Sequence, residues 1–328
     1  MVSNHGLLLV TAPVHFLPDL KMEMQEEFDC TFAYGADKEE TQILLKDNEF
    51  DAWVVSPCPT YFIDQTMFYL CPSLRMVATP STGSNHLDVN YLKEKGIEFS
   101  CLKEAEIIDQ IHASSEFTFN LMISTIRKTP FAFEAVKNGH WRNVEDQFRG
   151  RELNGLTLGI IGYGRIGSNL SRYALAFGMN VITYDPYVNI KETDVNQTDT
   201  VNDLLNEANV VVVCVHLDEN TNEMVNGDMF KEMKDGVYFI NTSRGDVVDE
   251  TDLLNFLKNG KIEAAGLDVI SDELKGDFNN HPLIDYAKKH DNLIITPHMA
   301  GLTYDSERKA QTASFHAIKD YLKPKSKD

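Results

Sequence analysis

The run Leu156-Thr157-Leu158-Gly159-Ile160-Ile161 leads without interruption into Gly162-Tyr163-Gly164-Arg165-Ile166-Gly167. Few sequence features restrict a fold so tightly, because each part has a separate physical task. The apolar run reads as a buried parallel strand. Gly162 permits the tight turn that leaves it, Gly164 leaves room for a ligand at the backbone, and Gly167 lets the following helix pack close. The helix N-terminus then presents free N–H groups and a partial positive charge, which suit phosphates. A second strand, Asn180-Val181-Ile182-Thr183-Tyr184, ends at Asp185. A carboxylate there can accept both hydroxyls of an adenosine ribose and would repel a 2′-phosphate. Strand, glycine turn, helix and acid in this order predict a dinucleotide site with NAD(H) favoured over NADP(H).

At 328 residues the chain has room for two domains with separate cores. The net charge of −20 and pI near 4.8 argue against nucleic acid or an anionic membrane surface as a partner, though not against an anionic substrate in a small pocket. Cys30, Cys58, Cys71, Cys101 and Cys214 are scattered, form no Cys-x-x-Cys pair and have no zinc spacing, so neither a metal nor a disulfide framework is expected. The only early apolar run, Leu7–Val10, lacks a preceding basic region and reads as a first strand rather than a signal peptide. No stretch approaches membrane-spanning length. These readings predict a cytoplasmic protein.

The first hundred residues alternate β-prone runs (Leu7–Thr11, Cys30–Tyr34, Ala52–Val55, Arg75–Ala78, Ile97–Ser100) with amphipathic pieces (Leu20–Phe28, Lys38–Lys46, Asp88–Lys95). That is a doubly wound α/β pattern without a phosphate turn. Ala105–Arg127 reads as one long helix, with Ile107, Ile108, Ile111, Phe119, Met122, Ile123 and Ile126 near helical spacing. Thr129–Asn154 shows no clear period and carries Phe131, Phe133, Trp141 and Phe148. Such an arm either covers a partner chain or wraps its own domain. From Leu156 the alternation restarts, with strand candidates Val181–Tyr184, Val210–Val215, Val237–Ile240, Ile262–Leu267 and Leu293–Thr296. The helix Ser306–Leu322 closes the pattern ahead of a basic tail at Lys323-Pro324-Lys325, and no further C-terminal domain is expected.

Three segments end predicted strands, where a doubly wound sheet places its ligands. They are Asn241-Thr242-Ser243-Arg244-Gly245, Gly266-Leu267-Asp268-Val269 with Asp272-Glu273 beyond it, and Thr296-Pro297-His298-Met299-Ala300-Gly301. Together they offer an arginine, carboxylates and a histidine. Reduction of a 2-oxo acid needs a cation to hold the carboxylate and polarise the carbonyl, which a planar guanidinium does with paired hydrogen bonds. It needs a proton donor that works near neutral pH, which histidine supplies. A carboxylate behind that histidine orients it and stabilises its charged form. Arg244, His298 and Glu273 fill these three roles.

These motifs resemble the D-isomer-specific 2-hydroxyacid dehydrogenase family over nearly the whole chain: the Gly162–Gly167 turn with Asp185, Asn241–Glu250, Gly266–Val269 with Glu273, and Thr296–Gly301. The resemblance implies a Rossmann-type cofactor domain at 104–301 inserted in a flavodoxin-like substrate domain formed by 1–103 and 302–328. It further implies a cleft that closes on substrate and a homodimer built through the helix and arm at about 105–154. Arg244, Glu273 and His298 match the family's catalytic positions. Gly162, Gly164, Arg165, Ile166, Gly167 and Asp185 match its cofactor-binding positions, and Thr242, Asp268, His298 and Gly301 match positions around the nicotinamide and its ribose. Thr82 and Gly83 match the loop that grips the substrate carboxylate. Ser56 is a further substrate-loop candidate, and His216 and Thr221 lie where a cofactor contact is expected.

Two departures stand out. Leu274 follows Glu273 where relatives usually have proline, with a longer stretch before His281-Pro282-Leu283. His216 replaces a common proline and reads as a packing or ribose contact. Neither Ser56–Tyr61 nor Pro80–Leu87 contains lysine or arginine. A small 2-oxo acid such as glyoxylate or hydroxypyruvate is therefore favoured over 3-phosphoglycerate. His15 and His86 could line the same cleft or simply pack. Alternatives are an NAD-sensing corepressor or scaffold on the same fold, and a phosphite or formate dehydrogenase, although a carboxylate at Glu273 disfavours formate.

Overall fold

Two all-parallel sheets organise the chain, and each belongs to a separate compact unit. A computed structural model describes residues 6–276 and 278–323. Pro324 and Lys325 of the expected basic tail, and Asp277 of the stretch after Glu273, lie outside the described residues.

The first unit runs to Ile111 and resumes at Thr303. Its elements are β1 (Leu7–Val10), α1 (Pro18–Glu27), β2 (Asp29–Phe32), α2 (Lys38–Asp47), β3 (Ala52–Val54), α3 (Gln65–Tyr69), β4 (Met76–Ala78), α4 (Val89–Lys95) and β5 (Glu98–Ser100). The strand order is β2-β1-β3-β4-β5, the flavodoxin-like arrangement. Alternation along the strands sends Leu8 and Val10 to one face and Leu9 to the other. Leu20 and Met24 of α1 cover the first face together with Phe315 and Ile318 of the C-terminal helix Tyr304–Leu322. Leu45, Phe68 and Leu92 cover the second. Helix α2 starts at a capping box: Asp37 accepts from the Glu40 amide at 2.9 Å, and Glu40 accepts from the Asp37 amide at 3.1 Å.

The second unit, His112–Leu302, contains α5 (Ala113–Ile126), α6 (Thr129–Lys137), β6 (Thr157–Ile161), α7 (Arg165–Ala176), β7 (Asn180–Tyr184), β8 (Val195–Gln197), α8 (Val201–Glu207), β9 (Val210–Val213), α9 (Gly227–Glu232), β10 (Val237–Asn241), α10 (Glu250–Lys258), β11 (Ile262–Leu267), α11 (Pro282–Ala287) and β12 (Leu293–Ile295). The order β12-β11-β10-β9-β6-β7-β8 reverses direction between β9 and β6. Doubly wound sheets place their ligands at such a switch point, outside the carboxyl ends of the strands. The four valines of β9 are fully buried, as befits a central strand covered on both faces; each contributes about 1.5–3 kcal/mol of burial.

The single helix expected at Ala105–Arg127 is not formed. Short 3₁₀ turns occupy Leu102–Glu104 and Glu106–Gln110, Ile111 is extended, and α5 begins at Ala113. The apolar residues at near-helical spacing serve two cores. Ile107 and Ile108 pack with Leu102, Ile111 and Ala310 in the first unit, whereas Phe119, Leu121, Met122 and Ile126 pack on the second sheet. One continuous rod cannot serve both. The units divide at Ile111/His112 and Leu302/Thr303. The aperiodic stretch after Thr129 contains α6 and a 3₁₀ segment, Arg142–Phe148, and leaves Phe133, Val136 and Trp141 exposed at 65%, 48% and 69%. No helix among the described residues is long and apolar enough to cross a membrane.

Candidate active site

The glycine turn closes β6 as its spacing requires. Gly162 has φ +94°, and a Cβ there would lie 2.7 Å from the Cys214 carbonyl oxygen. A side chain is excluded by conformation and by space alike. A Cβ on Gly167 would overlap the Gly162 carbonyl, so the first turn of α7 can pack onto the loop only as glycine. Gly164 differs: it caps α7 in extended conformation, and nothing lies within 4 Å of the Cβ it lacks. The backbone there is open to the approach of a ligand. Arg165, Ile166 and Gly167 supply the leading amides of the helix, which have no intrahelical acceptor.

Asp185 sits at the end of β7. Its Oδ2 accepts from the Tyr163 amide at 2.8 Å, and its Oδ1 accepts from Tyr187 at 2.8 Å and Val188 at 3.2 Å. The carboxylate is thus aimed by the turn itself and retains acceptor capacity for a ribose. A left-handed glycine, an open approach at Gly164 and an oriented acid fit a dinucleotide.

The second cluster gathers at the carboxyl ends of β10, β11 and β12. Asp268 follows β11, is fully buried and organises the loop after β12. Its Oδ1 accepts from Thr296 Oγ1 at 2.6 Å and the Met299 amide at 3.0 Å, and its Oδ2 accepts from the Ala300 amide at 2.8 Å. Burial pushes this carboxyl above the usual range, against those hydrogen bonds. His298, held between these contacts, has φ +50°, a strained conformation for a histidine. Its amide is fixed by the carbonyls of Asp268 (2.9 Å) and Thr296 (3.0 Å).

Glu273 meets His298 with Oε2 2.7 Å from Nδ1, while its Oε1 accepts from the Ile270 amide at 3.1 Å. An Nδ1–H donated to the carboxylate leaves Nε2 as the working nitrogen, and both side chains are about one-third exposed. Arg244 follows β10. Asn241 shapes its loop, accepting from Ser243 N–H and O–H at 2.9 and 2.7 Å and donating to the Arg244 carbonyl at 2.8 Å. The Arg244 guanidinium donates to the Ser243 carbonyl at 2.6 Å and pairs with no carboxylate among the described residues. A half-buried guanidinium of this kind is a ready anion site.

Thr242 is buried, its hydroxyl 2.6 Å from that of Thr118 on α5. Gly301 ends the same loop; a Cβ there would meet Ser114 Oγ at 3.9 Å. His216 is exposed after β9, and Thr221 turns back to donate to its carbonyl at 2.6 Å. Burial pushes the neighbouring Cys214 thiol up to about 12, so it stays protonated. The substrate-loop candidates belong to the first unit. The Ser56 amide donates to Thr11 Oγ1 at 3.2 Å after β3, and Ser81 Oγ donates to the Gly83 carbonyl at 2.7 Å beside Thr82 after β4. His86 is buried there, with Nε2 3.1 Å from Thr79 Oγ1, and His15 stacks on Tyr34.

Sequence reasoning gave no role to Glu250, Ser271 or His281, which pack behind Glu273. The first and third stood in quoted motifs, but nothing in their spacing shows that they meet.

A glycine turn with an oriented acid, an acid-backed imidazole, and a guanidinium that meets no carboxylate among the described residues define a class: the nicotinamide-dependent dehydrogenases. Comparison with known proteins narrows it. Residues 119–300 match the NAD-binding domain of the D-isomer-specific 2-hydroxyacid dehydrogenases, and residues 8–109 match their catalytic domain. The chain belongs to this family, and its cofactor is NAD(H). It is 33% identical over 319 residues to D-3-phosphoglycerate dehydrogenase of Methanocaldococcus jannaschii, which covers 96% of this chain but 57% of the relative. It is 36% identical over 264 residues to hydroxypyruvate reductase of Blautia hydrogenotrophica, covering 78% of each. Among solved structures it resembles D-lactate dehydrogenase of Aquifex aeolicus in complex with NAD and lactic acid, with TM-score 0.81, 29% identity, and 97% and 95% of the two chains covered.

Proposed function

We propose that the chain is an NAD(H)-dependent dehydrogenase that interconverts a small D-2-hydroxy acid and its 2-oxo acid. The observation that carries this reading is the 2.7 Å contact of Glu273 with His298, in the unit that also presents an unpaired Arg244. Gly162, Gly164, Arg165, Ile166, Gly167 and Asp185 would hold the adenine half and pyrophosphate. His216, Thr221, Thr242, Asp268 and Gly301 would border the nicotinamide half, Asp268 through the loop it organises. When bound, the reduced coenzyme supplies a hydride to C2 of the oxo acid. Arg244 clamps the substrate carboxylate and draws electron density toward the carbonyl oxygen. As charge builds on that oxygen, His298 donates its Nε2 proton. Glu273 holds Nδ1–H and stabilises the imidazolium before transfer. On the first unit, Ser56, Thr82 and Gly83 are the proposed substrate-loop residues.

Glyoxylate or hydroxypyruvate is favoured over 3-phosphoglycerate, because the loops Ser56–Tyr61 and Pro80–Leu87 carry no lysine or arginine for a phosphate. Relatives named for both kinds of substrate leave that preference as our own reading. A homodimer through α5 and the arm is supported by the apolar surface at Phe133, Val136 and Trp141. A cytoplasmic setting is supported by five free thiols. The decisive assay follows NADH absorbance with glyoxylate, hydroxypyruvate, pyruvate and 3-phosphohydroxypyruvate. Turnover of a small oxo acid supports the reading. No loss of NADH with any of the four would remove it.

A further inference from the structure

The turn that carries Glu273 is itself held by a second, more deeply buried acid–imidazole pair. Glu250, the first residue of α10, accepts twice from Ser271: from its N–H at Oε1 and from its O–H at Oε2, both at 2.7 Å. His281 Nε2 lies 3.2 Å from the same Oε2. The two side chains are only 15% and 12% exposed, against about one-third for Glu273 and His298. His281 Nδ1 is buried with no hydrogen-bond partner among the described residues. An N–H there would be an unpaired buried donor, so the geometry places the imidazole proton on Nε2, facing Glu250. Burial pushes the Glu250 carboxyl upward against the two Ser271 bonds, and Asp246 adds to the rise.

Ser271 lies between Ile270, whose amide is capped by Glu273, and Asp272, which adopts a left-handed φ of +59°. The peptide between Ile270 and Ser271 is gripped from its other side as well. A Cβ on Gly245 would overlap the Ile270 carbonyl carbon and the Ser271 nitrogen. The stretch Arg244–Glu250 therefore carries the unpaired guanidinium at one end and the clamp on the Glu273 turn at the other.

We propose that Glu250, backed by His281, is a positioning residue that fixes the Ile270–Glu273 turn so that Glu273 Oε2 stays on His298 Nδ1. This rests on the functional reading only for its kinetic consequence; the Glu273–His298 contact can be observed without turnover. Besides Glu250's own partners, Asp246 faces Glu250 and Asp268 faces His298 among the described residues.

Glu250→Gln keeps the shape but puts an NH₂ where an acceptor is needed, by the Ser271 hydroxyl and His281 Nε2–H in one amide orientation and by the Ser271 backbone N–H in the other. Ser271→Ala, which keeps the peptide N–H bond and removes only the hydroxyl one, is the milder second variant. The readouts are kcat and KM for hydroxypyruvate, the Kd for NADH, the pH profile of reduction, and the low-field Nδ1–H proton resonance of His298, identified by its loss in His298→Gln. For Glu250→Gln we expect kcat to fall by about a hundredfold with KM and Kd within about twofold, as a displaced reacting group predicts. The pH profile of reduction departs from that of the parent, and the resonance broadens or shifts. Ser271→Ala moves the same quantities less. A resonance and pH profile identical to the parent in both variants overturns the proposal, even if kcat drops. If the parent turns over no oxo acid yet Glu250→Gln moves the resonance, the positioning role stands and the functional reading falls.

Discussion

The backbone N–H of Tyr163 donates to Oδ2 of Asp185 at 2.8 Å, tying the glycine turn to the end of the next strand. The acid that should read the ribose is therefore aimed by the loop that should hold the pyrophosphate. Asp185→Ser removes the charge that repels a 2′-phosphate. The ratio of kcat/KM for NADPH to that for NADH should rise by about tenfold or more. Loss of backbone acceptors should cost about 1–2 kcal/mol in urea unfolding. A parent enzyme that already prefers NADPH would contradict the assignment.

Two glycines of the same turn should fail differently. Gly162→Ala puts a Cβ 2.7 Å from the Cys214 carbonyl oxygen at φ +94°, so the protein should lose stability by about 1–3 kcal/mol. Gly164→Ala meets nothing within 4 Å and should unfold within about 0.5 kcal/mol of the parent. Its NADH Kd, measured by fluorescence titration, should nonetheless rise by about tenfold or more. Unchanged affinity in Gly164→Ala would remove the pyrophosphate role of that position.

Substitution of the reacting groups should separate chemistry from binding. His298→Gln should lower kcat by about 10²–10⁴-fold. Arg244→Lys keeps the charge but loses the fork, and should raise KM for the oxo acid as well as lower kcat. Both variants should bind NADH like the parent. Near-parental turnover in either would show that its side chain does not take part.

A pH test is available away from the site. Burial holds the Glu307 carboxyl, in the first turn of the C-terminal helix, above its ordinary value of 4.5. A raised folded-state value means that the unfolded chain ionises first. The parent should lose stability relative to Glu307→Gln as pH rises through 4.5 toward the raised value, and the difference should be level above it. Paired urea titrations from acid to neutral pH check the sign. A difference that moves the other way would show that the charge is favoured in the fold.

The exposed arm offers a test of assembly. Phe133→Lys combined with Trp141→Lys alters side chains that are 65% and 69% exposed, so the fold of one chain should survive. Sedimentation should show dimers for the parent and monomers for the double variant. Monomeric parent protein would refute the dimer.

What could be read from the chain divides by range. The Gly162–Gly167 turn and Asp185 were legible because their roles rest on local conformation and the end of the next strand. Of the adjacent acids Asp272 and Glu273, it is Glu273 that meets His298, a pairing across 25 residues that the local motif does not show by itself. The helix expected at Ala105–Arg127 failed because periodicity reports which residues are apolar, not which core receives them. The clamp on Ser271 was invisible for a related reason. Glu250 and His281 are separated by α10, β11 and the Glu273 turn, and only the folded sheet brings them together.

Because the space beside Gly245 is filled by the Ile270–Ser271 peptide, Arg244 and Glu273 sit on two stretches of backbone locked to each other. They form one unit of inheritance for recombination or loop grafting. A chimera that takes Asn241–Glu250 from one relative and Val269–Glu273 from another must match two surfaces with no slack between them, so productive crossovers should fall outside the pair and carry both stretches together.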